Sequence, residues 1–135
     1  MDNIDLALQV VEAQNDALDH LHTAIACNGD KYDGMIETLK QVETSNYRRR
    51  IMITGVGKNA NMAAKASETF ASLGIPSMYI NKCHYSHGDA GFIAHDDVVI
   101  HVSRSGKTEE MQYMARHLNT IRPNVLQILL HCNAA

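Results

Sequence analysis

The stretch DVVIHVSRSGKTEEM, Asp97 to Met111, decides how the chain folds. It starts as an apolar, β-branched run, Val98-Val99-Ile100, and carries on to Val102. It then breaks into Ser103, Ser105, Gly106 and Thr108, just ahead of Glu109 and Glu110. A short, near-continuously apolar run bounded in this way reads as a strand buried on both faces. Two acids straight afterwards suit the first turn of a helix, where the helix dipole favours negative charge. Met111, Met114, Leu118 and Ile121 then stripe one helical face, Pro123 closes it, and Val125 to Leu130 make another strand.

The same unit occurs upstream. Ile51 to Thr54 is a short strand running into Gly55-Val56-Gly57-Lys58-Asn59. Met62, Ala66, Phe70 and Leu73 follow on one helical face, closed by Gly74 with Pro76 beyond. Ser77 to Ile80 is the next strand, and a loop with His84, His87, Gly88, Asp89 and Gly91 leads to the opening stretch. Strand–helix alternation predicts an α/β fold: a doubly wound parallel sheet over residues 50–131, ordered 2-1-3-4. Residues 1–45 read as two amphipathic helices. The first carries Ile4, Leu8, Val11, Leu18, Leu21 and Ile25, and the second Tyr32, Met35, Ile36, Leu39 and Val42. At 135 residues the chain is expected to be one domain, 1–135. It stops soon after its fourth strand, which reads as a minimal version of the fold, a fragment, or a strand covered by a partner.

Composition narrows the function. A net charge of −3 argues against non-specific nucleic-acid binding. The basic run Tyr47-Arg48-Arg49-Arg50 reads as a solvated lead-in to the first strand. No secretory leader and no bilayer-length apolar run stand out, so a cytoplasmic protein without a membrane partner is expected. Cys27, Cys83 and Cys132 are odd in number and widely spaced, which fits a reducing compartment. Cys83, His84, His87 and His95 lack paired metal-ligand spacing, so neither a metal nor another cofactor is expected.

In the order 2-1-3-4 the first and third strands are neighbours, and the loops after them diverge and leave a crevice. Those loops are Gly55–Asn59 and Ser103–Thr108, each ahead of a helix whose first N–H groups lack partners. Ser103, Ser105 and Thr108 add hydroxyls, and Gly106 lets backbone approach a ligand. The pair is read as a phosphate cradle; the alternative makes Ser105 a simple helix cap. A Walker A loop is excluded because its earlier glycine position is His101. A dinucleotide site lacks its acid, since Asn81 stands near the end of the second strand.

Ser103-Arg104-Ser105-Gly106-Lys107-Thr108 resembles the S-x-S-G-x-T/S signature of sugar isomerase (SIS) domains, and most closely that of arabinose 5-phosphate isomerases. Gly55-Val56-Gly57-Lys58-Asn59, Phe70-Ala71-Ser72-Leu73-Gly74-Ile75-Pro76-Ser77 and His87-Gly88-Asp89-Ala90-Gly91 resemble further motifs of that group, so the likeness runs from about Ile51 to Leu130. The resemblance implies a flavodoxin-like SIS fold, truncated after the fourth strand. It implies an aldose–ketose isomerase interconverting arabinose and ribulose 5-phosphates, on the route to a lipopolysaccharide sugar. It also implies a sugar-phosphate ligand and a homodimer or homotetramer. Gly57, Asn59, Ser103, Arg104, Ser105, Gly106 and Thr108 would bind substrate. Lys58, His87 and Glu110 would carry the chemistry: Lys58 would reach the sugar oxygens, and His87 would offer an imidazole for proton transfer. The chain departs from the group at Lys107, where a glutamate is usual, and at Asn59, where a serine is usual. Those departures leave open a non-catalytic sugar-phosphate-binding or regulatory module.

Overall fold

The structure, a computed structural model, describes residues 2–132. Two compact units are present, Met1–Glu37 and Thr38–Ala135.

In the first unit, α1 (Asn3–Cys27) begins at a reciprocal cap. Asp2 Oδ1 accepts from the Ile4 and Asp5 amides at 2.8 Å, and Asp5 Oδ2 accepts from the Asp2 amide at 3.1 Å. The helix ends at Asn28, and α2 (Gly29–Glu43) follows at once. The apolar stripe read from the sequence is present, yet α1 has no buried residue: Ile4, Leu8, Val11, Leu18, Leu21 and Ile25 are all exposed.

The second unit is a four-stranded, all-parallel sheet ordered β2-β1-β3-β4. Its strands are β1 (Ile51–Gly55), β2 (Ser77–Tyr79), β3 (Val98–Val102) and β4 (Leu126–Leu130). Between them lie α3 (Lys58–Ser72), a short α4 (Lys82–Tyr85), a 3-10 turn (Asp89–Phe92) and α5 (Glu109–Ile121). The predicted fold class and strand order are those observed.

Alternation along the strands separates two cores. Ile51, Ile53, Val98 and Ile100 pack with Ala63 of α3 and with Leu39 and Val42 from the end of α2. Met52 and Val99 face the other way, onto Met114 and Leu118 of α5, with Ile80, Tyr85 and Ile93. Tyr85 is fully buried, its hydroxyl is 2.8 Å from His117 Nδ1, and burial pushes its pKa up to about 12.

Three expectations need correction. Only β1 and β3 are buried on both faces. The edge strands β2 and β4 are half-exposed, with Leu126, Leu129 and Leu130 open to solvent. A central strand has neighbours on both edges and helices on both faces, whereas an edge strand lacks one of these. The segment around His84 is not a plain loop: Asn81 caps α4 by accepting from the Cys83 amide. Finally, Arg50 is not a solvated charge. It pairs with the buried Asp97, which accepts from Arg50 Nη2 at 2.7 Å, Arg50 Nε at 3.1 Å and the Arg50 and Ala94 amides. The Arg50 guanidinium also lies 4.5 Å from the Phe92 ring centroid. This knot ties the starts of β1 and β3 together, at the sheet end away from the two loops.

Candidate functional site

Gly55 and Val102 are register partners, so the loops after β1 and β3 leave the sheet side by side. Gly55 is required there. A Cβ would sit 2.6 Å from the Asn59 carbonyl oxygen, so only glycine lets the first turn of α3 press on the strand end. Gly57 caps α3 at φ +60 and Gly106 turns the second loop at φ +69, both in the left-handed region.

The hydroxyls of the second loop first organise the loop itself. Ser103 Oγ accepts from the Gly106 amide at 3.0 Å and lies 3.2 Å from Thr108 Oγ1, and Ser105 Oγ accepts from the Lys107 amide at 3.1 Å. Ser103, Ser105, Gly106 and Thr108 thus form one bonded turn, with Ser103 buried and Ser105 exposed. Thr108, not Ser105, is the N-cap residue of α5, and its side chain makes no capping bond. Gly57, which starts α3, has no side chain to cap with. By contrast, α1 and α4 are both capped by side chains. At α3 the Asn59 and Ala60 amides already donate to the Val56 and Gly57 carbonyls at 3.2 and 3.0 Å, so what the crevice has for another acceptor is the Lys58 amide and the first-turn amides of α5.

The remaining candidates are more scattered. Gly57 and Lys58 are exposed and Asn59 half-buried at the start of α3; Arg104 is exposed in the second loop, and Glu110 is exposed in the first turn of α5. His87 sits on the exposed turn after α4, beyond β2, and its amide donates to the His84 carbonyl. A concavity of about 700 Å³ lies in that region but is lined by Tyr79, Asn81, His84, Asp89 and Phe92 among others, and by no residue of the two loops. A smaller one of about 260 Å³ runs between α5 and β4 and includes His101, Gly106 and Gln127. Among the described residues no cluster of three or more His, Cys, Asp or Glu side chains could hold a metal, and no helix is long and apolar enough to cross a membrane.

A family model described as SIS domain matches residues 46–130, most of the chain. The chain belongs to the SIS domain family. It is 34% identical over 111 residues to the arabinose 5-phosphate isomerase KdsD of Pseudomonas aeruginosa, covering 82% of this chain and 32% of that protein. An uncharacterised protein of Rickettsia prowazekii is 30% identical over 129 residues, covering 96% of this chain and 38% of its own length. Among solved structures, an Escherichia coli CFT073 protein in complex with arabinose 5-phosphate superposes with a TM-score of 0.79 at 28% identity, covering 98% of this chain and 67% of the other. The chain thus spans about a third of the length of these curated relatives.

Within this SIS fold, the polar layer beneath the second loop was not anticipated. His101 on β3 is 2% exposed, and its Nε2 lies 2.8 Å from Gln127 Oε1 on β4. Gln127 Nε2 in turn donates to Asn119 Oδ1 at 2.7 Å and to the Ala115 carbonyl at 3.2 Å. The sequence held a signal for this layer: a histidine and a glutamine each interrupt an otherwise apolar strand.

Proposed function

We propose that the chain is the sugar-phosphate-binding core of an aldose–ketose isomerase acting on arabinose 5-phosphate and ribulose 5-phosphate. The observation that supports it most is the pair of uncapped helix N-termini at register-matched strand ends, one of them fronted by a hydroxyl-rich turn. A phosphate group suits such a place, because it accepts several hydrogen bonds and its charge complements both dipoles. In this reading Gly57, Asn59, Ser103, Arg104, Ser105, Gly106 and Thr108 hold the substrate, and no cofactor takes part.

The chemistry is a proton shift through an enediol. A base takes the proton from C2 of the open-chain aldose while O1 gains one, leaving a double bond between C1 and C2. Loss of the O2 proton and protonation of C1 then gives the ketose. Lys58 polarises the carbonyl, and His87 and Glu110 exchange the protons; losing one such group costs about 10²–10⁴-fold in rate. Anchoring the phosphate fixes the far end of the sugar, which turns these encounters into positioned ones. Lys107, at the place where related isomerases usually carry a glutamate, favours a second reading, a module that binds the sugar phosphate without converting it.

One experiment separates the two. Arabinose 5-phosphate is incubated with the protein in deuterated water and followed by NMR. Formation of ribulose 5-phosphate with deuterium at C1, and deuterium at C2 of the recovered arabinose 5-phosphate, supports the isomerase. Calorimetric binding without exchange selects the binding module, and neither signal defeats both.

We further propose that α1 pairs with a second copy of the chain, giving a homodimer or homotetramer in the cytoplasm. A 25-residue helix with an exposed stripe of six apolar residues is stable in water only when that stripe is covered. Sedimentation of the protein with Leu18→Glu and Leu21→Glu tests it: a shift to monomer is expected, and an unchanged mass refutes the pairing.

A further inference from the structure

Two buried side-chain atoms, Lys82 Nζ and His101 Nδ1, have no hydrogen-bond partner among the described residues. They belong to the same neighbourhood. The Ile80 carbonyl, two residues before Lys82, accepts from Thr54 Oγ1 at 3.0 Å, and Thr54 is the register partner of His101. The Lys82 charge adds, after burial, to the causes that lower the His101 pKa. Ser103 follows His101 by two residues, so strand alternation puts its side chain on the same face, one step nearer the crevice.

The hydrogen bonds also fix which proton His101 carries. Gln127 Nε2 spends its donors on Asn119 Oδ1 and the Ala115 carbonyl, so Gln127 Oε1 must accept from His101 Nε2–H. The neutral ring therefore offers a bare lone pair at Nδ1. Burial first, and then the Lys82 charge, hold His101 to that neutral form against the opposing pull of Gln127. One buried acceptor and one buried ammonium, both without a partner, thus lie in this part of the sheet. An ammonium withdrawn from water without a counter-charge is costly to keep. Burial accordingly pulls Lys82 below its ordinary range. An anion arriving there would supply the missing counter-charge.

Resting on the sugar-phosphate reading above, we propose that Lys82, whose buried ammonium lacks a partner on the face of the sheet that carries His101 and Ser103, is a second cationic contact for the phosphate group held by the loop after β3. Lys58 comes to the crevice from α3 on one face of the sheet, and Lys82 from the α5 face, so the dianion is flanked by positive charge on both sides.

The test is calorimetric titration with arabinose 5-phosphate and with inorganic phosphate, beside thermal melts with and without each. The protein is used unaltered, as Lys82→Met and as Lys82→Arg. Loss of a charge-assisted contact predicts affinity roughly ten- to hundredfold weaker in Lys82→Met, with substantial recovery in Lys82→Arg. The melts separate this from a structural role. Removing an unmatched buried charge raises the melting temperature of the ligand-free protein and shrinks the rise that phosphate produces, whereas a structural lysine lowers the ligand-free value. Lys82→Gln serves in the same assays should the methionine variant not fold. Undiminished phosphate affinity in the variants, with the unaltered protein binding, overturns the role of Lys82 alone. No binding by the unaltered protein overturns the sugar-phosphate reading, and this proposal with it.

Discussion

Replacing Gly55 with alanine probes the contact on which the first loop depends. An added Cβ would meet the Asn59 carbonyl oxygen at 2.6 Å, the Asn59 carbonyl carbon at 2.7 Å and the Ala60 amide nitrogen at 3.1 Å. All three are backbone atoms, so no rotamer change relieves the clash. Ordinary contact begins near 3.4 Å, and the first turn of α3 must therefore recede by about 0.8 Å. Overpacking of this kind costs about 1–3 kcal/mol. With a urea dependence of about 1–3 kcal/mol per molar, a loss near 2 kcal/mol lowers the unfolding midpoint by roughly 1 M. The same recession carries Lys58 and the start of α3 away from the crevice, and misplacement by about 1 Å costs on the order of a hundredfold in a positioned reaction. Urea unfolding and phosphosugar titration on the same samples read both effects. A midpoint and an affinity equal to those of the unaltered protein would show that strand and helix do not press on each other at this glycine.

Gly34→Ala is the counter-case in the same assay. It lies inside α2 with nothing within 4 Å of its Cβ position, so alanine should add about 0.5–1 kcal/mol, and a lower midpoint contradicts this. Asp97→Ala strands the Arg50 guanidinium and two backbone amides. The expected loss is about 3 kcal/mol, at the low end for a broken buried pair because Arg50 stays 28% exposed; a loss below about 1 kcal/mol refutes the pairing as a structural tie. His101 binds a proton less readily folded than unfolded, chiefly through burial. Below the ordinary value of about 6.5 the unfolded chain therefore holds more protons, and its stability contribution, complete above that pH, is lost as pH falls toward the lowered folded value. Urea midpoints between about pH 7.5 and 5 should fall less steeply in His101→Gln than in the unaltered protein, and equal slopes refute the assignment.

What was legible in the sequence followed from local rules. Val98 to Val102 and Ile51 to Thr54 read as strands covered on both faces, because unbroken apolar runs call for such cover, and the observed bounds agree to within a residue. The two glycine-bearing turns could be placed at one end of the sheet because each joined a strand to a helix. Edge exposure was not legible, since Leu126-Gln127-Ile128-Leu129-Leu130 is as apolar as a central strand and only its place in the sheet leaves one side open. Arg50 misled for the same reason: charge runs are usually solvated, and its partner Asp97 lies 47 residues away.

The pattern of helix caps argues that the crevice is a place of function rather than of stability. A side-chain cap is worth about 1 kcal/mol and requires one serine, threonine, aspartate or asparagine. The chain uses one at α1 and another at the four-residue α4, where little helix depends on it. At α3 it places a glycine, and at α5 it places a threonine whose hydroxyl instead sits 3.2 Å from Ser103 Oγ. Both long helices that begin at the crevice thus go without a stabilising contact that the chain supplies elsewhere. Proteins commonly give up stability where a ligand is to supply the missing contacts. Ligand-free protein should accordingly exchange the Lys58 amide of α3 and the first-turn amides of α5 faster than those of α1, and phosphate should slow the first two and leave α1 unchanged. Protection of all three that is equal and indifferent to phosphate would remove the physical basis for placing the anion there.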